Sequence, residues 1–554
     1  MRPPRSYDRA VIDHDPEAGR PLPLALRNTL TRRVEPVIAP AHGPVRLYSC
    51  GPTVYRWAHV GNLRSYLLTD LIRRALLYHG VEVLHVKNIT DVGHLRDERF
   101  DRGDDPMLVA AGLESKTPAE IADTYEAGFH ADEALVNILP AHVFPRATEH
   151  IPDMLDLASR LVASGHAYVS PAANVYYSVA SYPGYGQLSG NSLDELRAGH
   201  RGEVEPDKRD SADFALWKAA GEGRLLKWPS PWGDGFPGWH LECSAMALRF
   251  LGPRFEIHTG GIDNVFPHHE DEIAQSAPLV GGPPAHHWVH GEHLLAEGRK
   301  MAKSAGNFER VTDILDRGIE PLALRYLVLT SRYGRKLNYS ERSLRSAAAA
   351  LSSLRSRLAA LGPPPVSGPW AAPPSLVSGA AGPRPSGVAK GVAGHQEDRD
   401  LAAASRAFAV MDRASHPDAP LSRGGHELHA RFVAAVDDDL DLPTALAVVR
   451  ETLRAGLPAD ERRWLVLDAD LVLGLSLHET WAVAPAEPGH TGEVGSAHEA
   501  ALSPTEAALI EERKVARASR DWAQADELRQ RLVEAGIELT DGPDGTTWRR
   551  VQRT

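Results

Sequence analysis

A strand, a loop, a helix and a second strand follow one another early in this chain and narrow the folds open to it. Val45–Ser49 alternates as a half-buried strand does, and residues 81–86 read as the next strand. Between them Leu63, Leu67, Leu68, Leu71, Ile72, Leu76 and Leu77 recur at helical spacing. Parallel strands need such a crossover helix. Ligands of open α/β sheets sit at the carboxyl ends of the strands. The first loop, Cys50-Gly51-Pro52-Thr53-Val54-Tyr55-Arg56-Trp57-Ala58-His59-Val60-Gly61-Asn62, is therefore where chemistry is expected. A phosphate would sit at His59 and the helix start at Gly61, because free backbone N–H groups point outward there.

At 554 residues the chain must build several domains, since a single core stops growing well below that length. No apolar run reaches the roughly 18 residues that span a bilayer, and the N-terminus has no apolar stretch of a secretory signal. A cytoplasmic protein with no membrane partner is the expectation. A net charge of −12 argues against non-specific nucleic-acid binding as the main activity, while leaving room for a local basic groove. The only cysteines are Cys50 and Cys243. A lone disulfide does not suit the cytoplasm. Both lie in polar, turn-rich surroundings at expected ends of strands or helices, which favours a shared metal site over two unrelated buried thiols.

Along the chain, residues 1–33 read as a Pro- and Arg-rich tail, with 26–32 leading toward the first strand. Residues 34–130 form the first half of a Rossmann-like catalytic domain, including a helix over 118–138. Residues 131–234 interrupt it with helices and a hairpin around 176–185. The second half, 235–308, carries a helix over 245–251, a strand over 255–259, a helix after Pro267 and a strand over 287–290. Residues 309–360 are helical, 361–397 are a Pro/Gly/Ser/Ala-rich linker, 398–480 a helical bundle and 481–502 a second linker. The last unit, 503–554, has one or two helices and a small hairpin from 536–539 and 546–550.

Zinc prefers thiolate and imidazole and accepts carboxylate. After Pro267, His268 and Glu272 stand at i and i+4 and share one helix face. His269 with Glu272, and His268 with Asp271, compete with them on spacing alone. Cys50, Cys243, His268 and Glu272 make a geometrically reasonable four-ligand set, because the first turn of this helix should face the strand ends.

His59-Val60-Gly61-Asn62 resembles the His-Ile-Gly-His nucleotide signature of class I aminoacyl-tRNA synthetases. Lys300-Met301-Ala302-Lys303-Ser304 is similar to their second signature, a mobile lysine loop that contacts ATP phosphates. Cys50 to Tyr55, Gly238-Trp239-His240 with Glu242-Cys243-Ser244, and Phe266-Pro267-His268-His269-Glu270 with Glu272-Ile273-Ala274-Gln275 together look like cysteinyl-tRNA synthetase. The match covers most of the chain, apart from the N-terminal tail and the linkers. It implies an α/β fold: a Rossmann-like class I catalytic domain with an insertion, stem-contact helices over 309–360, an all-α bundle, and a small C-terminal anticodon-binding α+β unit.

The family's reaction joins L-cysteine to tRNA(Cys) through cysteinyl-adenylate. The resemblance implies one zinc ion per chain, held by Cys50, Cys243, His268 and Glu272 and binding the substrate thiol. Zinc can separate cysteine from serine, which a hydrophobic pocket cannot do well, so no editing domain is needed. The resemblance implies His59 and Lys303 on the transition-state phosphates, with Lys300 supporting. Asn62, Gly260, Gly261 and Asp263 fall in the ATP site, and ATP would bring Mg2+. Thr90 and Trp239 match positions around the cysteine. Arg529, Trp548 and Arg549 match the anticodon-binding part, where Arg and Trp can stack on or hydrogen-bond unstacked bases. A monomer is expected.

The chain departs from the family after Asn88-Ile89-Thr90-Asp91, where 92–105 lack the usual further acidic residues and lysine. Ala302 replaces a serine, and the tail and linkers are long. These departures suit a specialised second copy as well as a housekeeping enzyme. Two rival readings are a cysteine:glucosaminyl-inositol ligase of mycothiol synthesis and an inactive zinc-binding paralogue. Residues 503–550 argue against the first, and intact His59, Lys300 and Lys303 against the second.

Overall fold

The computed structural model describes residues 19–92, 106–192, 207–221, 224–296, 298–300, 308–374 and 419–481, then scattered helical positions from 509 to 532, and 537–542 with 545–550. Two compact units result, Met1–Ala482 and Val483–Thr554. Among the described residues no helix is long and apolar enough to cross a membrane.

The first unit begins with an antiparallel pair, β1 (Arg20–Asn28) and β2 (Arg33–Ala39). The tail expected over 1–33 thus contains a strand from Arg20. Pro21 and Pro23 disguise it, yet Leu22, Leu24 and Leu26 alternate inward, as an edge strand that tolerates proline allows. Residues 1–18 lie outside the described residues.

β3 (Val45–Ser49), α1 (Val60–Tyr78) and β4 (Val83–Lys87) form the expected crossover unit. With β9 (Phe255–Gly261) and β10 (Ala285–Gly291) they complete a four-stranded parallel sheet in the order β10-β9-β3-β4. Register sets Tyr48 beside His258, and His258 beside Trp288. All carboxyl ends therefore open on one edge.

Between β4 and β9 lie α2 (Pro106–Glu114), α3 (Pro118–Leu135) and α4 (Ile151–Ala163). A four-stranded antiparallel sheet follows, β5 (Ala167–Val169), β6 (Val175–Tyr177), β7 (Phe214–Ala219) and β8 (Gly235–Pro237). The hairpin expected at 176–185 is instead β5–β6, because Pro183, Gly184 and Gly186 break the chain into turns after Tyr182. The helix expected from 245 is α5 (Trp239–Leu251), which starts at the Gly238 cap and carries Cys243 inside it rather than at an end. Its buried His240, Glu242 and Ser244 hid the amphipathic pattern.

α6 (Glu270–Val280) follows an irregular helical turn at Val265–His269. Beyond β11 (Leu294–Ala296) and β12 (Arg299–Lys300) come α7 (Val311–Asp316), α8 (Leu322–Leu329), β13 (Leu337–Tyr339) and α9 (Glu341–Ala359). β13 corrects the all-helical expectation for 309–360. It is a three-residue strand that forms only because β11 runs beside it. The bundle is α10 (Arg423–Asp437), α11 (Leu442–Thr452) and α12 (Ala459–Leu473).

α1 is buried on almost every side, with the sheet on one face and α12 on another. That burial encloses charge. Asp70 of α1 accepts from Arg74 at 2.8 Å and from Arg325 of α8 at 2.6 Å, and takes the Leu139 N–H at 2.8 Å. Arg325 also donates to the carbonyls of Leu473 (2.5 Å), Val136 (3.1 Å) and Asn137 (3.0 Å). Burial alone would raise Asp70, but Arg74 and Arg325 outweigh it and hold the carboxyl below its usual range. Gly474, which ends α12 at φ +64°, leaves room for this guanidinium. A Cβ there would stand 2.5 Å from it.

In the second unit β14 (Ile537–Gly542) pairs with β15 (Gly545–Arg550), the small terminal hairpin expected from the sequence.

Candidate active site

The loops leaving β3 and β4 are laced together. The Gly51 N–H donates to Asn88 Oδ1 at 2.9 Å, the Thr90 N–H to Pro52 O at 3.0 Å, and the Val54 N–H to Thr90 O at 3.0 Å. A Cβ on Gly51 would collide with the Asn88 carbonyl. Gly51→Ala should therefore push these strand ends apart and displace Cys50. The expected result is a loss of about a hundredfold in the reaction the resemblance implies, cysteine-dependent ATP–pyrophosphate exchange, read beside an unchanged far-UV circular dichroism spectrum.

Cys50 leaves β3 toward α5 and α6. Cys50, Cys243, His268 and Glu272 bring one donor atom each within 4.8 Å of one another. His268 Nε2 lies 3.2 Å from Glu272 Oε1, across the one-turn spacing read from the sequence. A second group, Cys50, His258, His269 and Glu272, meets the same distance. Its histidines are engaged with protein partners. His258 Nε2 bonds Glu272 Oε2 at 3.0 Å, and His269 bonds Cys50 Sγ at 3.2 Å and His290 at 2.8 Å. His290 in turn bonds Thr29 at 2.8 Å.

Electrostatics here are those of a site short of positive charge. Burial raises the Cys50 thiol, with Glu272 adding to the effect. The bond to Cys50, then burial, lift Cys243 well above an ordinary thiol. Burial, with the surrounding imidazoles, holds His269 well below its usual range, and His290 is lowered to about 3. Two thiols and a carboxylate enclosed beside the imidazoles of His269 and His290, which burial keeps neutral, suit a soft divalent cation, which stabilises thiolates that burial alone disfavours. The residues present fit zinc.

Around this cluster, Thr90 Oγ1 donates to the buried Glu242 at 3.0 Å, and the Trp239 ring lies 4.4 Å from that of His268. Asp271 accepts from Tyr185 and pairs with His240, each at 2.5 Å. In the sequence His258 and His290 carry no assigned role, His240 and Glu242 only a place in a family motif, and Asp271 only a competing ligand spacing with His268. Their signal is a polar side chain at an inward position near a strand or helix end.

At the start of α1, His59 is the N-cap. The Asn62 N–H donates to His59 Nδ1 at 3.2 Å, and Asn62 Oδ1 accepts the His59 N–H at 3.1 Å. Asn62 thus completes a reciprocal cap, and an accepting Nδ1 places the proton of the neutral ring on Nε2. The Val60 N–H is taken by Glu309 O at 2.9 Å. This corrects the picture of outward, free N–H groups, since the chain itself consumes those of Val60 and Asn62. Gly260 and Gly261 close β9, where a Cβ on Gly260 would lie 2.7 Å from His269. Asp263 follows them, mostly exposed, 3.7 Å from His293. Lys300 pairs through its backbone with Leu295. Lys303 and Arg529 lie outside the described residues, as do 93–105 and 375–418. Trp548 and Arg549 sit on β15 opposite Leu539 and Glu538.

Residues 37–349 match the family model of the class I (C) tRNA synthetase catalytic domain, and 499–549 that of the cysteinyl-tRNA ligase anticodon binding domain. A cysteine–tRNA ligase of Alkalilimnicola ehrlichii is 38% identical over 539 residues, covering 95% of this chain and 100% of the relative. One from Thermus thermophilus is 38% identical over 532 residues, covering 95% and 99%. A methionyl-tRNA synthetase of Mycobacterium tuberculosis bound by methionyl-adenylate aligns at 14% identity with a TM-score of 0.48, over 79% of this chain and 92% of that one. With its catalytic and anticodon-binding parts both matched and relatives aligned end to end, the chain belongs to the cysteine–tRNA ligase family of class I aminoacyl-tRNA synthetases.

Proposed function

We propose that this chain joins L-cysteine to tRNA(Cys) through cysteinyl-adenylate, selecting its amino acid at a zinc ion held by Cys50, Cys243, His268 and Glu272. The observation that carries this is the convergence of those donors within 4.8 Å from separate stretches of the sequence. The pair of sulfurs favours this set over the one built on His258 and His269. When bound, zinc would take the substrate thiol as a thiolate and discriminate against the hydroxyl of serine. His258, bonded to Glu272, then serves to orient that carboxylate.

Catalysis is left to positioning and to charge on the phosphates. Thr90, fixed by Glu242, and Trp239 stand beside the bound cysteine. Its carboxylate attacks the α-phosphorus of ATP and pyrophosphate leaves. His59 donates from Nε2 to the phosphates, and Lys303 with Lys300 neutralises their growing charge. Asn62 keeps His59 in that tautomer, while Gly260, Gly261 and Asp263 border the adenosine and Mg2+ accompanies ATP. A hydroxyl of the terminal tRNA adenosine then attacks the adenylate carbonyl and releases AMP. Arg529, Trp548 and Arg549 read the anticodon.

Cysteine-dependent ATP–pyrophosphate exchange, followed by transfer to tRNA(Cys), tests the reading. Exchange with cysteine but not serine, and transfer to tRNA, are expected. Transfer to glucosaminyl-inositol alone, or no exchange, would overturn it. Lys303→Ala should lower exchange by about 10²–10³-fold, the loss typical of one stabilising donor, while leaving zinc content unchanged.

A further inference from the structure

Outside the metal cluster, three segments meet ahead of α1. Trp57 lies edge-on to Tyr125, ring centroids 4.6 Å apart, and presses on Gly128 of α3, where a Cβ would fall within the indole. Arg310 covers Trp57, with its guanidinium carbon 4.0 Å from the ring centroid. One turn beyond Gly128 on the same helix stands Asp132, only 1% exposed, whose carboxylate oxygens have no hydrogen-bond partner among the described residues. Burial pushes Asp132 up to about 6, with Arg310 favouring its ionised form and Asp313 opposing it. Tyr125, Gly128 and Asp132 thus make a seat along α3 for the Trp57–Arg310 stack.

Arg310 ends a strap, residues 308–310, that follows the lysine motif in sequence. Every residue of the strap is tied down. Phe308 meets the His59 ring edge-on, with centroids 5.5 Å apart at 88°. The Glu309 carbonyl takes the Val60 N–H, while its carboxylate accepts from Tyr339 at 2.7 Å and pairs with Arg317. The Arg310 N–H donates to Asp313 at 2.8 Å and caps α7.

We propose that Arg310 is a positioning residue for adenylate formation: stacked on Trp57 over α3, it holds the strap 308–310 against the His59 loop and sets the orientation of the His59 ring. The inference rests on the role given to His59 above. It calls for a planar cation, because a guanidinium offers a flat face to the indole and an ammonium offers none. A small displacement at a phosphate-contacting group is enough to slow the chemical step.

The test uses full-length protein in steady-state ATP–pyrophosphate exchange. Arg310→Ala should lower kcat by about tenfold or more, with KM for cysteine held within about twofold and with zinc content and melting temperature unchanged. Arg310→Lys should recover only part of the loss. Trp57→Ala should match Arg310→Ala, and the double variant should be no worse than either single one, as for two parts of one unit. A fully active Arg310→Ala, additive losses, or a loss that tracks a lower melting temperature would each overturn the proposal. Should Arg310→Ala not accumulate, Arg310→Lys decides, and unchanged kcat there overturns it. A wild-type protein without cysteine-dependent exchange would instead remove the reaction itself, which distinguishes the two failures.

Discussion

Cys243→Ser protein is expected to purify folded, to carry almost no zinc, and to lose cysteine-dependent ATP–pyrophosphate exchange by about a hundredfold or more, since even partners behind the ligands cost 10–100-fold. The substitution keeps the size of the side chain and removes only the soft donor. Cys243 is 1% exposed within α5, so a hydroxyl there meets the same walls. What changes is affinity for a borderline-soft cation, which thiolate supplies and an alcohol does not. Metal content by atomic absorption and exchange kinetics read the two consequences separately. His258→Gln is the matched control, because it belongs to the competing group of four that shares Cys50 and Glu272. Zinc retained in Cys243→Ser but lost in His258→Gln would transfer the metal to that second group. Full zinc and full activity in Cys243→Ser would end the proposed ligand set.

The second large effect is on stability. Arg325→Ala removes a cation whose side chain, like that of Asp70, is fully buried. Asp70 is then left with Arg74 and the Leu139 N–H, the carbonyls of Leu473 and Val136 lose this donor, and that of Asn137 keeps only Arg74. Breaking a buried pair from one side costs about 3–5 kcal/mol, so urea denaturation at pH 7 should show a clear loss of stability. The pH dependence has a definite sign. The folded-state value of Asp70 is depressed, so its contribution is present above the ordinary carboxylate range and fades as pH falls through the depressed value. Without Arg325 that value rises, and acid unfolding should begin at higher pH. An unchanged urea midpoint, or an unchanged acid transition, would show that Arg325 does not hold α8, α1 and the end of α12 together.

Much of this architecture is readable along the chain because it rests on local periodicity. The alternation of Val45–Ser49, the leucine spacing of α1, and His268 one turn from Glu272 need no partner to be seen. Neither does the lysine motif, though Lys303 itself lies outside the described residues. Local rules failed where a neighbour decides. β13 exists because β11 lies alongside, and β1 survives two prolines because they fall on an edge strand. α5 begins six residues earlier than its apolar pattern because the polar residues of its first turns face the site.

By itself the sequence determined most of the elements, their order, and the types of donor atom available, since these follow from backbone preference and side-chain chemistry. Only the tertiary structure decided which of those donors meet. Two cysteines 193 positions apart, a histidine and a carboxylate on one turn, and the flanking imidazoles become neighbours through strand order and register, which no spacing along the chain encodes. The same holds for Arg310 on Trp57 and Arg325 on Asp70. In each case two charged or aromatic groups, unremarkable where they stand in sequence, gain their meaning from being brought together, half-buried for Arg310 and Trp57 and fully away from water for Arg325 and Asp70.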